Sequence, residues 1–181
     1  MKKRLLWITR TAVLLALLIT LQAVTKPFGQ LVTGSCVNMV LALTALVAGL
    51  PSGLVLALIS PVLAYLLGIA PQALTVPAIM VGNCVYILLL WLIADRKGAN
   101  LLRQILALVS AATAKFAVLY GIVGGLICGV FADGLLRAGT LKMPMLQVLS
   151  ANFSWPQLVT ALVGGALAMS VYPLLRKAIR R

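Results

Sequence analysis

Apolar residues fill this chain in long runs, and short polar or Gly/Pro-containing breaks separate them. The hydrocarbon layer of a bilayer is about 30 Å thick and a helix rises about 1.5 Å per residue, so one crossing takes about 20 apolar residues. Six runs approach that requirement: residues 5–25, 34–50, 52–69, 75–94, 102–130 and 156–175. Each break has a local cause. Lys26-Pro27-Phe28-Gly29 ends the first run, Gly49-Leu50-Pro51-Ser52-Gly53 turns the chain after the second, Ala70-Pro71-Gln72 comes after the third, and Asp95 to Asn100 forms a polar turn before the fifth. The pattern predicts one polytopic domain over residues 1–181, an all-α integral membrane bundle of six transmembrane helices. The second and third runs are short and Pro61 interrupts the third, so a pair that stops within the bilayer is the alternative there.

The stretch from Phe131 to Ser154 is the longest outside the runs. It holds Gly134, Gly139 and Pro144, yet also Met143, Met145, Leu146, Val148 and Leu149. A solvated linker needs none of those apolar groups. A short helix capping the bundle is expected, with an amphipathic segment lying on the lipid surface as the alternative.

Composition sharpens the membrane reading: 63% of residues are apolar and 9% charged, against roughly a quarter charged in soluble domains. Fifteen Lys and Arg face two acids, Asp95 and Asp133. Nucleic acid is not the expected partner, because the basic residues cluster at the borders of apolar runs and no recognition pattern accompanies them. They fit the positive-inside rule instead. With both termini cytoplasmic, Lys2, Lys3, Arg4, Arg96, Lys97, Arg103, Arg176, Lys177, Arg180 and Arg181 lie inside, and Lys26, Arg137 and Lys142 lie outside. Arg10 can reach the inner headgroups from within the first helix. The basic start and the apolar run after it are read as the first spanning helix rather than a signal peptide, since the chain beyond residue 25 is equally apolar.

Lys115 is the sharpest single signal. It stands in the middle of the fifth run, about 20 Å along an ideal helix from either end, too far for its stem to reach the headgroups. A lysine there needs a cavity, backbone oxygens or an anion. The chain has almost no anions to offer, so Lys115 is expected to line an outward-facing cavity and to meet a carboxylate or phosphate on a bound solute; a structural lysine on backbone oxygens is the alternative. Asn38, Asn83, Tyr86 and Tyr120 are further polar groups inside apolar runs. Gln22, Gln30, Asn152, Trp155 and Gln157 near the outer ends could close the cavity, although Trp155 also suits an interfacial anchor.

Small residues form a second pattern. Thr113, Ala117, Gly121, Gly125 and Gly129 recur every four residues in the fifth run, a smooth stripe facing away from Lys115, for which Gly164, Gly165 and Ala168 are a possible match. Ala12 and Ala16 lie four apart in the first. Cys36, Cys84 and Cys128 fall in separate runs without metal or disulfide spacing, and histidine is absent, so neither a metal nor a cofactor is expected. Phosphate-binding loops, hydrolase elbows and paired carboxylates are also missing, which removes ATPase and common hydrolase chemistry from the chain itself.

Size, six short helices, Ala12 and Ala16, and the segments Val32 to Asn38, Met80 to Asn83, Ala114-Lys115-Phe116 and Gln157 to Gly165, with Pro61, together resemble the substrate-binding S component of energy-coupling factor transporters. The resemblance covers nearly the whole chain. It implies a non-enzymatic vitamin- or micronutrient-binding subunit in a prokaryotic plasma membrane. It further implies docking through Ala12 and Ala16 onto a membrane scaffold subunit powered by two ABC-type ATPases. Its outer loops, around Phe28 to Thr33 and Phe131 to Ser154, would cover the pocket. The Gly-rich outer-loop signature associated with biotin-specific members is absent, and Lys115 favours an acidic nutrient. The competing reading is a membrane assembly or scaffold protein whose small-residue stripes bind neighbouring helices.

Overall fold

The computed structural model describes residues 2–69, 72–94 and 100–179, leaving aside the side chains of residues 2, 3, 178 and 179. The main helices are α1 (Lys2–Thr25), α2 (Gln30–Val47), α3 (Leu50–Leu66), α4 (Val76–Ile93), α5 (Leu101–Leu119) and, after two short helices, α8 (Trp155–Ile179). Among the described residues, five apolar helical stretches are long enough to cross a membrane; α3, with 17 residues, is shorter. The protein is therefore an all-α membrane bundle of about six helices. The predicted turns at Ala70-Pro71 and Asp95 to Ala99, and the tail residues Arg180 and Arg181, lie outside the described residues.

Helix α2 begins at Gln30, four residues earlier than the apolar run. Gly29 takes φ 85° at its start, a left-handed conformation natural to glycine. A single turn of tighter helix, Lys26–Phe28, delivers the chain to that point. Polar Gln30 and Thr33 thus belong to a helix although hydropathy alone assigns them to a loop. Pro61 sits inside α3 without ending it. At the other end of the bundle, Asn100 caps α5 by accepting from the Arg103 amide at 3.0 Å, and Arg103 Nε donates to the Ile93 carbonyl at 2.6 Å, fastening α5 to the end of α4.

Beyond Leu119, α5 widens into a π-helix over Tyr120–Val130. Two short helices come next, α6 (Ala132–Arg137) and α7 (Met143–Asn152). Leu141, Leu149 and Phe153 are buried and pack with Ala78, Leu119, Val123 and Ile127. The 131–154 connection is thus a helical cap seated on protein. A larger core, centred on Leu18, Leu41, Leu56, Ile87, Leu90 and Ala111, joins all six main helices.

The crossing of α2 and α8 depends on Gly164. A Cβ there would come within 2.7 Å of Asn38 Cβ and 2.8 Å of the Met39 amide nitrogen. Gly165 lies against Leu108 and the Tyr86 hydroxyl. This corrects the expected match between these glycines and the α5 stripe. Thr113, Ala117, Gly121, Gly125 and Gly129 are all exposed on the bundle surface, and the close approach belongs to α2 instead.

Candidate solute-binding cavity

The turn after α1, the start of α2, the end of α3, the start of α4 and the α7–α8 junction meet at one end of the bundle. They enclose a cavity of about 310 Å³. Lys115 reaches it from the last turns of α5, near the middle of the continuous helical stretch Leu101–Val130, and is 3% exposed. Its Nζ donates to Asn38 Oδ1 on α2 at 2.5 Å and to Asn83 Oδ1 on α4 at 2.7 Å. The Tyr86 ring lies 5.3 Å from Nζ, close enough for a cation–π contribution. Three polar groups drawn from three apolar runs therefore converge on one point.

An ammonium removed from water costs several kcal/mol unless other groups solvate it. Here amide oxygens do so, and no carboxylate of the described residues takes part. An ammonium carries three N–H donors, and two are committed to Asn38 and Asn83. One remains.

A chain of hydrogen bonds links this lysine to the cap. Asn38 Nδ2 donates to Thr160 Oγ1 at 3.3 Å, the Thr160 hydroxyl donates to the Gln157 carbonyl at 3.2 Å, and Gln157 Nε2 donates to the Asn152 carbonyl at 2.9 Å. Asn152, Phe153 and Gln157 also line the cavity. The floor and the α7–α8 junction are thus parts of one polar network, in which each bond polarises the next.

The remaining predicted residues separate into two groups. Gln22 and Gln30 line the cavity with Lys115, Asn38, Asn83, Asn152 and Gln157. Tyr86 stands behind the lysine, fully buried, with its hydroxyl donating to the Ala161 carbonyl at 2.9 Å. Tyr120 and Trp155 are not brought to the cavity: they are 53% and 62% exposed. Tyr120 is five residues beyond Lys115, about 140° round an ideal helix, so the two could not share a face; its ring packs on Phe116, centroids 5.6 Å apart. Trp155 at the start of α8 has the position of an interfacial anchor.

Thr33 and Phe153, which also line the cavity, fall in the loops expected to cover it but were not singled out; Ser60 was missed, and Lys26 was treated only as an outer charge. The topology held a usable signal. Turns after the first, third and fifth helices share one side, so polar residues flanking them are neighbours in space.

Ala12 and Ala16 lie on the exposed face of α1, away from the cavity. The opposite face is anchored, with Leu18 fully buried and Thr11 Oγ1 2.8 Å from Ser52 Oγ on α3.

No curated protein and no solved structure matches the chain. The family model described as "ECF transporter, substrate-specific component" matches residues 7–176, nearly the whole length. The chain belongs to that family, as the substrate-specific membrane component of an ECF transporter.

Proposed function

We propose that this protein captures a small anionic nutrient from outside a prokaryotic cell and holds it beside Lys115 for ATP-driven import. The observation that carries the reading is the buried lysine, hydrogen-bonded to two amide oxygens and lining a cavity free of acidic residues. A carboxylate placed on the remaining N–H would form a charge-assisted bond in a water-poor site, where such bonds are strong. Asn38 and Asn83 keep the ammonium in place before the solute arrives. Apolar lining from Val37, Pro61, Ala64 and Ile79 encloses the rest of the molecule.

The direction of opening is set by charge. With the N-terminus in the cytoplasm, as the positive-inside rule requires of the basic clusters, the ends of α1 and α3 that border the cavity face outward. The α6–α7 cap lies on the same side. We assign Ala12 and Ala16 to docking on the scaffold subunit, because their small side chains let another helix come close on the exposed, apolar face of α1. Hydrolysis by two ABC-type ATPases then drives the change in access.

Purification in mild detergent, with mass spectrometry of the released small molecules, tests the reading. A micronutrient enriched over empty micelles is expected. If none is enriched from native lipid either, the capture function is wrong.

A further inference from the structure

Two polar atoms on residues that line the cavity, Gln22 Oε1 and Thr33 Oγ1, are buried and have no hydrogen-bond partner among the described residues. Leaving such a group unpaired costs about 1–3 kcal/mol, so paired alternatives are strongly favoured. The Gln22 carbonyl oxygen can only accept; the Thr33 hydroxyl can accept or donate. A partner for them must therefore include a donor, and none of the described residues supplies it; both atoms have almost no accessible surface, so a small side-chain rotation has to present them to a solute.

The charge balance at the cavity adds a second constraint. Lys115 has one N–H to spare. The other lining cation, Lys26, is exposed, and its ammonium donates to the Gly68 carbonyl at 2.5 Å. A phosphate dianion normally gathers several charge-assisted donors; the buried cation offers one free N–H, and the two that Lys26 keeps sit on a side chain exposed to solvent, where they bind an anion weakly. A singly charged carboxylate matches the one buried N–H. The volume of about 310 Å³ is at the small end for ligand pockets.

Resting on the capture function proposed above, we infer that the solute is a compact monocarboxylate that also carries an N–H or O–H donor. Its carboxylate accepts from Lys115, its donor engages Gln22 Oε1 or Thr33 Oγ1, and its apolar body lies between Val37 on one side and Pro61 and Ile79 on the other. The lysine and the two unpartnered acceptors thus select for a molecule with two unlike polar groups. A plain fatty acid lacks the donor. A neutral amide or sugar lacks the charge.

The test uses the full chain in detergent, incubated with the dialysable fraction of growth medium and washed. Released molecules are esterified to count carboxyl groups and exchanged in heavy water to count additional labile hydrogens. The same incubation is made with Thr33→Val and Gln22→Leu. One carboxyl group and at least one further labile hydrogen are expected in the enriched molecule. At least one of the two variants, the one that removes the acceptor in use, should retain about tenfold less of it, the effect of one lost neutral hydrogen bond in a dry site. Each should also melt, when solute-free, at or above the wild-type temperature, because an unpaired buried group has been removed. That opposite movement separates recognition from a structural role. A captured molecule without a carboxyl group, one without a further labile hydrogen, or retention unchanged in both variants overturns the assignment of solute class while leaving capture intact. No enriched molecule at all overturns capture as well.

Discussion

Replacing Lys115 by methionine keeps the length of the side chain and removes its charge and donors. In the empty protein two effects oppose each other. Asn38 Oδ1 and Asn83 Oδ1, now 2.5 and 2.7 Å from the ammonium, lose their donor, at about 1–3 kcal/mol each. Against this, a buried charge costing several kcal/mol disappears. The melting temperature of solute-free protein should therefore move little. Solute binding has no such offset. Removing one member of a buried charge pair costs about 2–4 kcal/mol, which corresponds to about 30- to 1000-fold in Kd. Titration of the co-purified nutrient in nanodiscs, by calorimetry or scintillation proximity, measures this directly. Lys115→Gln, which keeps a donor without charge, should fall between methionine and wild type. A Kd raised threefold or less in Lys115→Met, with the protein still folded, would refute the assignment of Lys115 to the solute.

Three further outcomes are expected. Ala12→Leu and Ala16→Leu should leave solute affinity within twofold while sharply reducing uptake in cells containing the coupling subunits; undiminished uptake in the double variant would remove α1 from docking. Gly164→Val places a branched side chain where Cβ alone comes within 2.7 Å of Asn38, so a loss of more than about 2 kcal/mol is expected from overpacking, with weakened solute binding as Asn38 shifts; a thermal melt like wild type would show that the crossing has slack. Lys26→Met releases the tie to the Gly68 carbonyl, 42 residues on, that joins the turn after α1 to the end of α3. Solute dissociation should accelerate severalfold in stopped-flow displacement with little change in melting temperature, and an unchanged rate would show that this tie does not restrain the cavity mouth.

Much of this architecture is written in the hydropathy of the chain, because lipid forces every backbone polar group into helices and leaves few alternatives. Lys115, Asn38 and Asn83 were recognisable for the same reason: a polar residue inside an apolar run needs a partner, and these three are one another's. Geometry across helices was less legible. The four-residue stripe on α5 looked like a packing face, yet packing fell to Gly164, whose importance depends on where α2 crosses α8. Tyr120 was polar and centrally placed, but its angle around the helix excluded it from the lysine's face. The widening of α5 after Leu119 has no hydropathy signature, since Tyr120–Val130 remains uniformly apolar. Thr33 was hidden by the opposite effect: it belongs to a polar stretch that hydropathy assigns to a loop, whereas Gly29 starts the helix early and turns that stretch toward the cavity.

A density map of the protein purified together with its nutrient bears most directly on the site. The solute is predicted between the start of α2 and the α7–α8 junction, with an acidic oxygen within hydrogen-bond distance of Lys115 Nζ. Solute bound at another surface, or beside Lys115 through a neutral apolar group with the ammonium still unengaged, would contradict the account.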